Sequence, residues 1–218
     1  MIKLLEKLLN LIYIQPCYFC HSKKEDNIIC KRCYSKIHFM PPSSFREKNG
    51  CKIYACALYD EITKRLIRDI KYHNKKQLAP LQAKIMFEYW KELNKKENYL
   101  ILPVPIHSHR KKERKYNHMD LVADEFSKLT NYRLNKDFLI RTKDTEKQFK
   151  LTKQERIKNI KGAFDINLKE EIDKEIPLLI IDDITSTGIT LEEIIKLLNK
   201  NGYKNITALT LSTPDIWN

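Results

Sequence analysis

The segment from Leu178 to Thr190 reads LLIIDDITSTGIT. An apolar run ends in two adjacent carboxylates, Asp182 and Asp183. The chain then turns through Thr185, Ser186, Thr187, Gly188, Ile189 and Thr190 into a helical pattern. Hydroxyls, backbone N–H groups and the start of a helix together make an anion site. Gly188 lets the backbone approach a ligand with no Cβ in the way. Two carboxylates beside an anion would repel it. They fit a ligand that presents sugar hydroxyls, which donate hydrogen bonds, or a hard cation such as Mg²⁺. A phosphorylated ribose with Mg²⁺ has all three properties. The glycine spacing and terminal Lys of a nucleotide-binding P-loop are missing. The plainer reading is an acidic strand end followed by a helix capped at Thr187 or Thr190, but the density of matching residue types favours the anion site.

A second apolar run ends in Leu102-Pro103-Val104-Pro105-Ile106-His107, followed by SHRKKERKYNH. Val104, Pro105 and His107 stand at the strand end. Arg110, Lys111, Lys112, Arg114 and Lys115 come next as a basic loop. Guanidinium groups match phosphate oxygens two at a time, and a loop that closes over a site excludes water from it. Taken one by one, His107, His109 and His118 read as surface or capping histidines.

Cys17-x₂-Cys20 and Cys30-x₂-Cys33 form two knuckles in a short segment with few core residues. Each knuckle turns two thiolates toward one point, which is what a tetrahedral structural Zn²⁺ needs. A redox pair would leave the second knuckle unexplained. His21 and His38 become unnecessary as ligands, and Cys51 and Cys56 read as buried or free thiols.

The elements that must position these residues alternate. Strand patterns fall at Lys52–Tyr59, Tyr99–Pro105, Leu178–Asp183 and Ile206–Leu211. Helical spacing covers Glu61–Tyr72, Leu78–Leu93, Tyr116–Leu129 and Leu191–Leu198, with Gly202 as a helix stop. Fully apolar strands alternating with helices predict an α/β fold on a parallel sheet. Ligands of such sheets sit at the carboxyl ends of the strands, so the residues after Leu102 and after Ile181 are the ones placed to meet a ligand. Pro41, Pro42, Ser43 and Ser44 and the charged stretch up to Gly50 read as a linker. The expected domains are therefore residues 1–50, an N-terminal helix with the four-Cys module, and residues 51–218, the main α/β domain.

Lys and Arg number 41 against 28 Asp and Glu, a formal net charge of +13. That surplus suits anionic partners, although many of the lysines alternate with Glu and read as solvated helix faces. No apolar run is long enough to span a membrane. In the first 13 residues Leu4, Leu5, Leu8, Leu9 and Ile12 recur at helical spacing. Glu6 and Lys7 break the apolar core that a signal peptide would need, so the expectation is a short amphipathic helix, no stable membrane insertion and a cytoplasmic location.

The segment Leu178–Thr190 resembles the PRPP (5-phosphoribosyl-1-pyrophosphate) motif of type I phosphoribosyltransferases. The PVP–H…R…R-aromatic-Asn pattern at Pro103–Asn117 is similar to that of the ComF family of DNA uptake. So are Ala57-Leu58-Tyr59-Asp60, Lys71-Tyr72, Arg141-Thr142-Lys143, Gln148, Leu151, Arg156, Asn159 and Gly162-Ala163-Phe164. The resemblance departs at Lys115 and His118, where the family usually carries Gly and Gln. It implies that Asp182 and Asp183 contact the ribose 2′ and 3′ hydroxyls and that Thr185 to Thr190 hold the 5′-phosphate. It also implies that Val104 to His107 lie near the pyrophosphate, with Arg110 and Arg114 as catalytic cations. The implied function is a phosphoribosyltransferase-like protein with structural Zn²⁺ and PRPP-bound Mg²⁺. It would act in natural transformation with single-stranded DNA and proteins of the uptake machinery, the DNA lying on the cations of Arg110–Lys115 and Arg133–Lys161 beside Phe149. The alternatives are a nucleobase-salvage phosphoribosyltransferase and a non-catalytic PRPP-binding adaptor. No base-recognition hood is expected after Ser212, which together with the cysteine module sets salvage behind.

Overall fold

Residues whose side chains can be buried on both faces dominate four segments, and these become the middle of one sheet. In the computed structural model, which describes residues 16–23, 28–145 and 152–217, the strands are β1 (Arg46–Lys48), β2 (Cys51–Leu58), β3 (Leu100–Pro103), β4 (Arg133–Leu134), β5 (Leu139–Arg141), β6 (Phe164–Ile166), β7 (Leu178–Ile184) and β8 (Ile206–Thr213). The six-stranded sheet runs β1-β2-β8-β7-β3-β4. All neighbours are parallel except β1, which pairs antiparallel with β2. Every residue of β3 and β8 is buried, as expected for parallel strands covered on both sides. The predicted helix at residues 1–13, the family matches at Gln148 and Leu151, and Phe149 of the basic track lie outside the described residues.

The helices are α1 (Lys31–Tyr34), α2 (Glu61–Tyr72), α3 (Ala79–Glu92), α4 (Ser108–Arg114), α5 (His118–Thr130), α6 (Lys153–Ile160) and α7 (Ile189–Lys200). Helix α2 starts where predicted because Asp60 caps it: the Asp60 N–H donates to Thr63 Oγ1 at 3.0 Å. Helices α3 and α5 pack on each other, α3 also on β2 and β8 and α5 on β3 and β7. Chain order then decides where a site can form. After β3 the chain moves outward to β4, whereas after β7 it moves the other way, to β8. The two connections diverge and leave a crevice at the carboxyl ends of β3 and β7, the topological switch point of an open sheet.

Two expectations change. The basic segment after His107 is not a loop but the helix α4, exposed along most of its length. Its alternation of Arg, Lys and Glu gives no apolar stripe to reveal it. Residues 46–48, grouped with the N-terminal module in the sequence, form β1 of the main sheet, and residues 38–40 run beside β2 through Leu58 N–H to His38 O (2.8 Å) and Met40 N–H to Cys56 O (2.9 Å). An antiparallel pair, β5 with β6, adds a separate two-stranded sheet, with α6 in the connection between them.

Lys115 ends α4 with φ 66°, in the left-handed region. The resembled family carries Gly there, and a residue with a Cβ pays a steric penalty in that region. Lys115→Gly is expected to stabilise the fold by about 1 kcal/mol, read as a raised Tm in a thermal melt. An unchanged or lowered Tm would mean that the turn is not held as described.

Candidate functional site

The site begins with strand β7. Its apolar residues Leu178 to Ile181 are fully buried, so the strand is a fixed base. At its carboxyl end the side chains diverge. Asp183 points inward, 2 % exposed, while Asp182 is half-buried on the crevice side. Asp183 takes a hydrogen bond from Lys71 Nζ at the end of α2, and His118 Nε2 at the start of α5 lies 2.5 Å from its carboxylate. The two partners hold the Asp183 carboxyl well below the usual range despite its burial. Burial works against a charge on Lys71, but Asp183 raises its pKa nonetheless. Burial lowers that of His118, and the charge of Asp183 only partly offsets the effect. Among the described residues His118 Nδ1 has no partner.

Asp182 lies in the opposite situation. Its carboxylate accepts the Asp183 backbone N–H at 2.8 Å. Burial first, then the neighbouring charge of Asp183, push its pKa up to about 7, with Lys71 and Arg141 pulling the other way. Of the two predicted sugar-binding carboxylates, then, one is engaged by Lys71 and His118 and the other, partly exposed, accepts only the Asp183 N–H among the described hydrogen bonds. A carboxylate whose charge is poorly compensated is a natural ligand for a hydroxyl donor or a divalent cation.

The loop after β7 has the predicted form. Thr185 N–H donates to Ser212 O at 3.0 Å, anchoring the loop to β8. Gly188 is the N-cap of α7 with φ 75°, and no side chain caps the helix. The cap is therefore neither Thr187 nor Thr190. Gly188 provides the positive φ, and among the described residues no side chain caps the helix. Ser186 and Thr187 are half-buried. Ser186 draws two cations that sequence reasoning did not assign to the site: Arg46 donates to its carbonyl and Arg156 Nη1 to its Oγ at 3.4 Å.

The β3 side is tied to the β7 side by Val104 N–H to Ile181 O, 3.0 Å. Val104 is buried, and Pro105 and His107 are half-buried. The aromatic-Asn pair proves to be framework: Tyr116 Oη donates to Ile70 O at 2.6 Å, and Asn117 Nδ2 donates to Val104 O at 3.2 Å while its side chain caps α5. Arg110 donates to Thr145 O at 2.5 Å. Arg141, on β5, donates to the Thr145 hydroxyl. Burial and the neighbouring Arg110 lower the Arg141 pKa to about 10, while Asp182 and Asp144 favour its charge. Arg110 and Arg141 thus converge from α4 and β5 with the acidic pair close by. Arg114 turns away, its guanidinium 4.9 Å from the Tyr72 ring. Lys111 and Lys112 face outward.

His118 corrects the reading of it as a surface or capping residue, for it is buried in the acidic pair. The sequence signal was its place where the family carries Gln, another side chain that bonds through nitrogen. Lys71, Arg141 and Arg156 each stood in a matched segment without an assigned role at this site.

The four cysteine Sγ atoms of Cys17, Cys20, Cys30 and Cys33 lie within 4.8 Å of one another, and none is in a disulfide. Cys20 Sγ and Cys30 Sγ are 3.6 Å apart, against roughly 3.8 Å for the edge of a tetrahedron of thiolates about 2.3 Å from zinc. The donor set fits a metal such as zinc. Cys51 and Cys56 are buried free thiols.

No family model matches the chain. It is 25% identical to Competence protein F of Haemophilus influenzae over 198 residues, 87% of this chain and 86% of that protein. The DNA utilization protein YhgH of Salmonella typhimurium is 25% identical over 182 residues, 81% of this chain and 74% of that protein. YhgH of Escherichia coli K12 is 31% identical over 102 residues, 47% of this chain, and the match spans 44% of that protein's length. Among solved structures, a hypoxanthine phosphoribosyltransferase of Staphylococcus aureus overlaps 63% of this chain and 64% of that chain with 18% identity and a TM-score of 0.38. An adenine phosphoribosyltransferase of Leishmania tarentolae overlaps 65% and 73% with 15% identity and a TM-score of 0.36. The resemblance to ComF-type proteins holds over most of the chain. No helix among the described residues is long and apolar enough to cross a membrane.

The two carboxylates are expected to affect stability with opposite signs. The pKa of Asp183 is depressed in the fold, so its contribution is present above the ordinary value of 3.8 and is lost as pH falls below it. The pKa of Asp182 is raised from 3.8 to about 7, so its ionisation costs stability increasingly between those values and fully above them. Asp183→Asn should destabilise on the order of 3 kcal/mol at pH 8, because Lys71 is left half-buried without its counter-charge. Asp182→Asn keeps an oxygen for the Asp183 N–H and should stabilise on the order of 1 kcal/mol at pH 8, with the gain vanishing near pH 4. Urea titrations at the two pH values measure both, and equal effects of the two substitutions would contradict the assignment.

Proposed function

We propose that this ComF-like chain binds Mg²⁺-PRPP in the crevice between β3 and β7 and serves in the handling of single-stranded DNA during natural transformation, on the cytoplasmic side. The observation that carries the reading is Asp182: a half-buried, poorly compensated carboxylate at the end of β7, followed at once by a glycine-capped helix start at the switch point of the sheet. In this reading Asp182 orients a ribose hydroxyl or the Mg²⁺. Asp183 does not touch the ligand but fixes Lys71 and His118 around it. Ser186, Thr187 and the first-turn N–H groups of α7 receive the 5′-phosphate. Arg110 stands at the pyrophosphate beside Val104, Pro105 and His107, and Mg²⁺, when bound, neutralises charge on the phosphate oxygens. The DNA-uptake role is supported by the likeness to Competence protein F and YhgH. Whether a phosphoribosyl group is transferred turns on the leaving pyrophosphate, where Arg110 would stabilise developing charge.

Zinc is proposed at Cys17, Cys20, Cys30 and Cys33. Metal analysis of the purified protein should give one zinc per chain. Cys17→Ser should lose it and lower the Tm, whereas full zinc and unchanged melting would remove the assignment.

Calorimetry tests the ligand. PRPP should bind with Mg²⁺ present and at least about tenfold more weakly in Asp182→Asn, a factor of ten being about 1.4 kcal/mol. Asp182→Asn is preferred to a change at Asp183 because the latter threatens the fold. Unchanged affinity in a folded Asp182→Asn protein would sink the site.

A further inference from the structure

Beside the acidic pair, on the far side of Lys71, lies a cavity of about 340 Å³, within the range of about 300–1,000 Å³ usual for small-molecule sites. It is lined by Lys71 and Tyr72 from the end of α2 and by Arg110, Glu113 and Arg114 from α4, with Lys115 and Tyr116 just after that helix. Lys71 is already neutralised by Asp183. Arg110, Arg114 and Lys115 have no carboxylate partner within 4 Å among the described residues, and the one acid in the lining is the exposed Glu113. A partly open cluster of cations without carboxylate partners raises the local concentration of anions. Arg110 is engaged with Thr145 O, so Arg114 and Lys115 set that anion as one with several oxygens, a phosphate that the guanidinium can take in fork geometry.

The second feature is aromatic. Tyr72 is 54 % exposed, unusually open for a large ring at the mouth of a cavity, and the guanidinium of Arg114 stacks at 4.9 Å from its centroid. Ring and guanidinium form a platform of the kind on which a nucleic-acid base stacks. A neutral free base would use this platform but leave the cations uncompensated; inorganic phosphate would do the reverse.

We propose that this cavity is a separate subsite for a 5′-phosphorylated nucleoside, its base on Tyr72 and Arg114 and its phosphate toward Arg114 and Lys115. The nucleoside is either a free mononucleotide or the 5′ end of a strand, which share this chemistry. The inference rests on the PRPP reading only for its neighbour: Lys71, one wall of the cavity, is held by the same Asp183 that flanks the PRPP crevice. A partner for the phosphoribosyl site would thus be anionic, unlike the neutral base of a salvage enzyme.

The test is calorimetric titration of the full chain with thymidine 5′-monophosphate, with thymidine, and with 5′-phosphorylated tetrathymidylate, each repeated with Mg²⁺-PRPP present. The monophosphate should bind at least about tenfold tighter than thymidine, a charge-assisted bond being worth about 1.5–3 kcal/mol, and PRPP should not displace it. Arg114→Gln should remove that preference. Tyr72→Ala should weaken the monophosphate about fivefold or more, within the energy of one base stack, while PRPP affinity stays the same. Tetrathymidylate binding much tighter than the monophosphate identifies a strand end as the source, and equal affinity identifies a free nucleotide. Equal affinity for thymidine and its monophosphate, displacement by PRPP, or indifference to both substitutions would overturn the proposal. Failure of PRPP to bind while the monophosphate does so through Tyr72 would overturn the PRPP reading and leave this one standing.

Discussion

One buried carboxylate joins the parts of this molecule that matter. Asp183 sits at the end of a strand with no exposed apolar residue and accepts from Lys71 of α2, with His118 of α5 at hydrogen-bond distance. Three elements far apart in sequence are fixed to one another by a single charge. Removing a charge from water costs several kcal/mol and is tolerable only when its partners are well placed. The arrangement is therefore better understood as specifying geometry than as adding stability. It sets the height of α2 and the entry of α5 at the crevice, and it leaves Asp182, one residue earlier and on the other side of the strand, as the carboxylate available to a ligand.

Helix α2 carries this constraint outward to the cysteine module. Asp69, 3 % exposed, accepts from Tyr18 Oη at 2.8 Å and from Arg68 and His73. Arg65 donates to Phe19 O at 3.1 Å and lies over both the Tyr18 and Phe19 rings. Asp69 and Lys71 stand two positions apart, so they leave the helix in different directions, one toward the knuckle of Cys17 and Cys20 and the other toward the site. Structural metal sites of this size stabilise the fold around them. Metal at the four cysteines would thus brace the same helix whose last turn supplies Lys71 and Tyr72.

The strands and long helices were legible because burial on both faces, or a 3.6-residue stripe, leaves a direct mark in the residue types. Glu61–Tyr72 was legible from the helical spacing of Ile62, Leu66, Ile67 and Ile70, and Leu178–Thr190 as strand, loop and helix from its Asp-Asp and Gly188. The two knuckles were legible by spacing alone. What escaped was set by tertiary contact. Nothing local separates the half-buried Lys71 paired with Asp183 from the exposed Lys75, and nothing near His118 states that residue 183 will face it. Helix α4 was missed because it has no buried side to leave a periodic trace. Arg141 was missed because β5 and β6, with α6 between them, must pair before its guanidinium comes within electrostatic range of Asp182.

The crevice without ligand holds two imbalances of opposite sign. Arg110 and Arg141 converge on Thr145, where burial and Arg110 disfavour the charge of Arg141, while Asp182 resists ionisation on burial beside Asp183. An anion alone would relieve the arginines but worsen matters at Asp182; a cation alone would do the opposite. A ligand that brings both, as a pyrophosphate with its divalent cation does, relieves the two together. Coupling of that kind is reciprocal: each ion raises the affinity for the other by the same factor. In the proposed reading, selectivity for the metal–pyrophosphate pair over either component arises from where the chain has placed its own uncompensated charges, with no contact dedicated to telling them apart.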